Sequence, residues 1–277
     1  MKSHKLLYGK RGLIFGVFDR QSLAWHVARQ CAIEGADFVL TNTAQAMQIG
    51  DVEQLAEELN ADLIQCDATD TKQLEFLVQN AQKVLAGKLD FVLHAVAQSQ
   101  NLRRGKAYHE LNYNYYAQTL DTSALSFHKL LQTCYQLDAL ADNASVVALT
   151  YIASERSLAG YNDMADAKAM LESIARNWGR IYGEKKAVRV NTVSQSPTTT
   201  KATQKFDRIS KFAQITDNLS PLGNATADDC AKLCVALFSD YMPKVTMQNI
   251  HNDGGYSMTA LSNKFIDFWE QQTHKKD

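Results

Sequence analysis

Seven short apolar runs alternating with six stretches of helical periodicity constrain this chain more than any other feature. The runs are Leu13 to Phe18, Phe38 to Leu40, Leu63 to Cys66, Phe91 to Val96, Val146 to Leu149, Val188 to Val193 and Thr246 to Ile250. Between them, apolar residues recur at three- and four-residue intervals over 22–34, 51–59, 71–86, 112–138, 162–182 and 226–239. A strand that is apolar at nearly every position must be covered on both faces, and the intervening helices supply that cover. The pattern predicts an α/β, Rossmann-type doubly wound parallel sheet of about seven strands. The chain has 277 residues, only three prolines (Pro197, Pro221, Pro243), and no repeat or low-complexity tract, so 1–277 reads as a single domain.

Composition narrows the partners. Lysine plus arginine number 29 against 30 aspartates and glutamates, a formal net charge of -1 that draws the chain to neither nucleic acid nor an anionic membrane. Five cysteines are scattered without metal-ligand spacing, and Cys230 and Cys234, one helical turn apart in an apolar run, read as buried thiols. Seven histidines form no H-x3-H pair, so no metal site is expected, and His94 inside an apolar strand reads as a core residue. The opening Met1-Lys2-Ser3-His4-Lys5 lacks the apolar core of a signal peptide, and no run approaches the ~20 apolar residues of a membrane span. A cytoplasmic location is expected.

Doubly wound sheets bind ligands at the carboxyl ends of their strands, beside the first strand-to-helix turn. Here that turn reads Gly16-Val17-Phe18-Asp19-Arg20-Gln21-Ser22-Leu23-Ala24, which is not a G-x-G-x-x-G fingerprint. Gly16 permits a backbone turn that a Cβ would hinder, and Ser22 stands where a helix opens. Helix-start amides and the serine hydroxyl can receive a pyrophosphate; an ordinary N-cap after a turn glycine explains the same residues. The second strand ends Thr41-Asn42-Thr43, with no arginine to take a 2′-phosphate, which favours NADH over NADPH.

At the other end of the chain, Tyr161 begins a helical pattern that carries Lys168 seven residues later, with Tyr151 ten residues before it. Seven residues span nearly two turns, placing Tyr161 and Lys168 on one face about 10 Å apart along the axis. Taken alone, such a pair is usually a half-buried ring and a solvated amine.

Together, Gly16-x5-Ser22-x-Ala24 and Tyr151-x9-Tyr161-x6-Lys168 resemble the divergent short-chain dehydrogenase/reductases that act as enoyl-acyl-carrier-protein reductases in dissociated bacterial fatty-acid synthesis. Cys66-Asp67-Ala68, Val188-Arg189-Val190-Asn191, Pro197-Thr198 and Asn252-Asp253-Gly254-Gly255-Tyr256 agree with that family in order, so the resemblance covers roughly residues 8 to 260. Carbonyl-reducing relatives instead carry Tyr-x3-Lys, a position filled here by Ala165. The resemblance implies NADH as cofactor, held by Gly16, Ser22, Leu23, Thr43, Asp67, Ala68, Val96, Lys168, Pro197, Thr198 and Thr200. It implies Tyr161, Lys168 and Tyr151 as the catalytic group, and Ser99, Tyr151, Tyr161, Met164 and Phe206 around the acyl chain. A homotetramer, with interfaces on the helices 112–138 and 162–182, is implied in the same way. This chain departs from the family at Gln195-Ser196, at Thr198 and at Ala95-Val96-Ala97-Gln98, all near the cofactor or acyl pocket.

Two further segments carry expectations. Residues 198–220 are polar, with Phe206, Ile209, Phe212 and Ile215 at three-residue spacing, as in an amphipathic lid helix or an ordinary surface helix. The basic run Asn101-Leu102-Arg103-Arg104-Gly105-Lys106 suits either an acidic carrier protein or a solvated loop. Three functions compete: reduction of enoyl thioesters on acyl-carrier protein, carbonyl or alcohol oxidoreduction on the same scaffold, and non-catalytic NAD-dependent regulation. The Tyr161–Lys168 interval favours the first.

Overall fold

The computed structural model describes residues 3–198 and 207–273. Its strands are β1 Arg11–Phe15, β2 Asp37–Thr41, β3 Asp62–Leu63, β4 Leu89–His94, β5 Leu140–Thr150, β6 Arg189–Gln195 and β7 Asn249–Asn252. All pair in parallel, in the order β3-β2-β1-β4-β5-β6-β7. The chain runs outward from β1 to β3, then returns to lay β4 on the other side of β1. That reversal opens a crevice at the carboxyl ends of β1 and β4, where doubly wound sheets take their ligands.

The helices are α1 Leu23–Ile33, α2 Ala44–Ile49, α3 Val52–Glu58, α4 Thr71–Val84, α5 Gln100–Arg103, α6 Tyr113–Leu120, α7 Ser126–Gln136, α8 Asp163–Lys186, α9 Asp207–Leu219, α10 Ala227–Phe238 and α11 Asn263–Thr273. They divide between the two faces of the sheet because side chains alternate along each strand. On one face Leu13, Phe15, Val146 and Val190 meet Leu77 of α4, Phe127 and Leu130 of α7, and Leu171 and Trp178 of α8. On the other, Ile14, Phe91, Val147 and Val193 meet Trp25 and Val27 of α1, Leu55 of α3, and Cys230, Cys234 and Phe238 of α10. All five thiols are buried. Phe91 lies over Gly12, where an added Cβ would come 2.0 Å from the ring, and stacks on Phe238 at 4.7 Å.

Helix α8, 24 residues long, carries Asp163 and Asp166 in its first turn and Lys185 and Lys186 in its last, both matched to the helix dipole. Ala187, in the left-handed conformation at φ +55°, ends it.

The structure corrects several expected boundaries. The stretch 112–138 is interrupted by a π-helical turn, Asp121–Leu125, between α6 and α7. Strand β5 starts at Leu140, ahead of the apolar run, because its register shifts between Leu89 and Phe91 and leaves Asp142 and Asn143 exposed. Strand β7 begins only at Asn249, since Met247 takes a positive φ of 62°. The polar helices α2, α5 and α11 were not expected. The last packs against α9, with Ser262 Oγ donating to the Asn218 carbonyl at 2.7 Å. Among the described residues, no helix is long and apolar enough to cross a membrane.

Candidate active site

At the carboxyl end of β1 the chain turns on Gly16, whose φ is +97°. A Cβ there would fall 2.2 Å from the carbonyl oxygen of Ala95, just past β4, so the two strand ends touch backbone to backbone only because this residue is glycine. Ser22 occupies the N-cap position of α1, yet its hydroxyl makes no cap bond. It donates to the Asp19 carbonyl at 2.7 Å and accepts from the Phe18 amide at 3.3 Å, closing the turn upon itself. The first-turn amides of α1, beginning at Leu23, face the general shortage of intrahelical acceptors at a helix start.

Asn42 braces this turn from β2. Its Nδ2 donates to the Val17 carbonyl at 2.8 Å, and its Oδ1 accepts from the Thr43 amide at 2.8 Å. Thr43, half-buried, caps α2 by accepting from the Ala46 amide at 3.2 Å. After β3, Asp67 Oδ1 accepts from the Thr69 amide and hydroxyl at 2.9 and 2.8 Å, with Ala68 buried beside it. Val96 packs half-buried against the core at the end of β4. Gly16, Ser22, Thr43, Asp67, Ala68 and Val96 thus sit on turns that follow β1, β2, β3 and β4, and Leu23 opens α1.

Across the crevice, Tyr151 follows β5 and its ring packs on Tyr161 at 5.0 Å between centroids, tilted by 53°. Tyr161 stands just outside α8. Asn162 is the N-cap residue, with φ +51° and ψ -138°, so the helical spacing expected between Tyr161 and Lys168 does not hold. Such a conformation costs a non-glycine residue about 1–3 kcal/mol and persists only where neighbours hold it. Here Asn162 Nδ2 donates to the Lys106 carbonyl. Lys168 is 6% exposed, and its Nζ reaches the Leu149 carbonyl of β5 at 2.8 Å.

Electrostatics separate the roles of these groups. Burial pulls the Lys168 ammonium down to about 8, opposed by the nearby Glu172 carboxylate. Burial pushes the Glu172 carboxyl up, while Thr150 Oγ1 donates to its Oε1 at 2.7 Å. The phenols of Tyr161 and Tyr151 are raised by burial, and that of Tyr151 further by Tyr161 and Tyr256. Both therefore remain protonated hydrogen-bond donors at neutral pH. His94 is buried and neutral, held down to about 3 by desolvation and by Lys168, and its Nε2 pairs with Ser126 Oγ at 2.9 Å.

Beyond β6, Pro197 and Thr198 are half-buried, and Thr198 Oγ1 donates to the Ser196 carbonyl at 3.1 Å. The unusual Gln195-Ser196 pair ties this loop to its surroundings. Gln195 accepts from Asn252 Nδ2 at 2.7 Å and donates to the Ala225 carbonyl at 3.0 Å, while Ser196 Oγ accepts from the Ala225 amide at 2.9 Å. Thr200 and Phe206 lie outside the described residues. Met164 is 4% exposed and Ser99 3%; the Ser99 hydroxyl donates to Asp163 Oδ1 at 2.7 Å and accepts from the Leu102 amide at 2.9 Å. Both side chains are buried at the start of α8 and of α5. The basic run 101–106 is not wholly solvated either, since Asn101 is fully buried and Arg104 stacks over Tyr115 at 5.1 Å.

A family model described as Enoyl-(Acyl carrier protein) reductase matches residues 16–257. The chain belongs to that family. The reductase is 32% identical over 258 residues to Enoyl-[acyl-carrier-protein] reductase [NADH] 2 of Rhizobium meliloti strain 1021, covering 92% of this chain and 94% of that one. It superposes on the FabI–NADH complex from Alistipes finegoldii with a TM-score of 0.93 at 49% identity, covering 95% of this chain and 93% of that one. It also matches the Bacillus cereus enoyl-acyl carrier protein reductase bound to NADP+ and an indole naphthyridinone, at 25% identity and a TM-score of 0.86, over 92% and 99% of the two chains.

Several residues of the reductase's site escaped the sequence reading. Asn42, Thr150, Glu172 and Asn162 support the crevice without matching any motif used. Asp163 is fully buried, and accepts from Ser99, Asn101 and Thr119. In sequence it resembles any acidic residue in a helix's first turn, and its partners lie 44 to 64 residues away.

Proposed function

We propose that this reductase uses NADH to reduce the trans-2 double bond of enoyl thioesters carried on acyl-carrier protein, the last reductive step of fatty-acid elongation. The observation that carries this reading is the Tyr151–Tyr161 ring pair just past β5, with Lys168 buried on the Leu149 carbonyl of the same strand end and Ala165 where a carbonyl reductase places its lysine. The crevice fits the cofactor. The Gly16 turn leaves no Cβ at the strand end, the start of α1 offers amides to a pyrophosphate, and no basic residue ends β2. Lys168 Nζ has three donors, of which the Leu149 carbonyl takes one, leaving others for the nicotinamide ribose hydroxyls. Thr43 and Asp67 are assigned to the adenosine side, and Pro197 and Thr198 to the nicotinamide side.

When bound, NADH would supply a hydride to the β-carbon of the thioester, the π pair of the double bond passing to the carbonyl oxygen, and a proton from water at the α-carbon completes the product. Tyr161 donates a hydrogen bond to the thioester carbonyl oxygen as negative charge gathers there, the interaction that lowers the barrier. Its raised phenol keeps the proton in place throughout the working pH range. Lys168 orients the ribose and adds positive potential close to Tyr161. Tyr151 walls the acyl pocket, and α9 covers it through Phe212, whose ring meets Tyr256 edge-on at 6.2 Å.

The same reading carries a cytoplasmic enzyme and a homotetramer, for which exposed Tyr108 (59%) before α6 and Tyr113 (84%) at its start offer aromatic contact surface. Light scattering tests the assembly. Oxidation of NADH in the presence of crotonyl thioester, compared with simple ketones, tests the reaction. Turnover with the thioester and none with ketones is expected; turnover with ketones alone overturns the reading.

A further inference from the structure

Tyr161 has no helix beneath it to fix its direction. It precedes the N-cap of α8, and the next residue, Asn162, sits at φ +51° and ψ -138°, a conformation that relaxes unless its surroundings prevent it. The surroundings are concentrated on one side chain. Asp163, the first residue of α8, is fully buried. Its Oδ1 accepts from Ser99 Oγ at 2.7 Å, and its Oδ2 accepts from Asn101 Nδ2 at 2.9 Å and lies 2.9 Å from Thr119 Oγ1. The helix N-terminus adds a favourable dipole, so among the described residues this carboxylate is held by neutral donors.

Two of the donors come from the segment that leaves β4, and the third, Thr119, from α6. Ser99 caps α5, Asn101 lies in α5, and Asn101 also clasps Asn112 by donating to its carbonyl at 3.1 Å and accepting from its amide at 3.0 Å. One residue before Ser99, the Gln98 amide donates to Ser123 Oγ at 2.9 Å in the π-helical turn. Asn162 itself reaches the Lys106 carbonyl of the same segment. The loop that carries Val96 along the cofactor side is therefore bolted to the residues on which Tyr161 is mounted, and Asp163 is the bolt.

We propose that Asp163 is a positioning residue for Tyr161: by binding Ser99, Asn101 and Thr119 it fixes the Asn162 turn, and through it the place of the Tyr161 hydroxyl over the crevice. This rests on the assignment of Tyr161 as the hydrogen-bond donor to the substrate carbonyl. An isosteric Asp163→Asn puts an amide donor where a second acceptor stood, so one of the three contacts must reverse its direction or break. A carboxylate that merely stabilised the fold would affect the melting temperature and leave the kinetics of the folded enzyme alone. A positioning residue acts on turnover, and only while Tyr161 has a hydroxyl to position.

The test is a double-mutant cycle on the full chain with NADH and crotonyl thioester. Asp163→Asn is expected to lower kcat about 10- to 100-fold, with the KM for NADH within about twofold of the parent. Added to Tyr161→Phe, it is expected to change kcat by less than about twofold. Wild-type kcat in Asp163→Asn beside a slow Tyr161→Phe overturns the proposal and leaves the Tyr161 assignment standing, and so does an equal loss in both backgrounds. Wild-type kcat in Tyr161→Phe alone removes the Tyr161 assignment, and this proposal with it. Should Asp163→Asn not fold, Ser99→Ala enters the same cycle, with a smaller loss expected in the Tyr161 background only and an equal loss in both overturning the proposal.

Discussion

The two walls of the crevice are built by different means. The wall at β1, β2 and β3 is a series of short turns closed by near neighbours: Ser22 bonds Asp19 and Phe18, Thr43 bonds Ala46, and Asp67 bonds Thr69. The wall at β4, β5 and β6 is assembled from side chains that meet across the chain: Lys168 on Leu149, Glu172 on Thr150, and Asp163 on Ser99. The first arrangement presents backbone groups and tolerates exposure; the second buries ionisable groups and, at Lys168 and Glu172, shifts their protonation. Binding a cofactor's phosphates and its adenosine ribose needs only the former. Steering charge during a reaction needs the latter, because electrostatic interactions strengthen where water is excluded.

If that division is right, the largest loss of turnover comes from the buried wall. Tyr161→Phe is expected to lower kcat about 100- to 1,000-fold, the range for removing one hydrogen bond to a developing oxyanion. NADH affinity, measured by fluorescence titration, is expected to stay within about twofold, since the turn wall is untouched. A Phe variant that binds NADH poorly would dissolve the distinction between the walls.

Gly16→Ala attacks the opposite wall. Its Cβ would meet the Ala95 carbonyl at 2.2 Å from a residue at φ +97°, and both neighbours are backbone that cannot swing aside. Overpacking of this kind costs about 1–3 kcal/mol. If the shift moves the turn, NADH affinity falls about tenfold or more, while kcat at saturating NADH changes less. Unaltered NADH affinity would show that the Ala95 side of the crevice yields instead.

How much of this was legible beforehand follows the same division. The β1-to-β3 turns could be read because their determinants are local: a glycine at a strand end, a serine and a threonine at helix starts. The strands could be read because burial on both faces leaves them apolar almost throughout. The helix α11 could not, since Lys264, Asp267 and Glu270 interleave its aromatics and its partner α9 is distant in sequence. Nor could the strained Asn162 or the burial of Asp163, whose causes lie on a segment more than 40 residues earlier. Tyr161, Tyr151 and Lys168 stand out in the sequence through their resemblance to the family's pattern, though Tyr161 lies outside α8 and so does not share its helical spacing. The residues that orient them left no pattern to find.

The pH dependence of Lys168 separates stability from binding. In the free protein its ammonium is held down to about 8, against ~10.4 for an unfolded lysine. Between those values the unfolded chain binds a proton that the folded protein has released, so folding stability from this group rises with pH across that window. NADH affinity should move the other way. The protonated form is the one that binds the ribose, so affinity is full below pH 8 and falls by up to about tenfold per pH unit above it. Lys168→Met is expected to flatten both curves. An affinity that stays level from about pH 7 to 10 in the parent enzyme would remove Lys168 from the ribose.

The smallest effect belongs to Thr43, and it tests whether a turn-wall residue serves structure and ligand at once. Its Oγ1 accepts from the Ala46 amide, leaving the hydroxyl proton to donate. Helix α2 has six residues, none of them buried, so it gains little from packing and depends on its ends. The far end is tied in its turn, with the Asp51 amide on the Phe18 carbonyl at 2.9 Å. Loss of an N-cap hydroxyl costs about 0.5–2 kcal/mol. In so short and exposed a helix that cost falls on local fraying more than on global unfolding. Thr43→Ala should therefore speed amide exchange in α2 with little change in melting temperature, and weaken NADH by a few-fold, roughly one hydrogen bond's worth. Thr43→Ser keeps both the acceptor and the donor and should restore both. Faster exchange without weaker binding would assign Thr43 to the helix alone, and leave the adenosine ribose to the backbone of this wall.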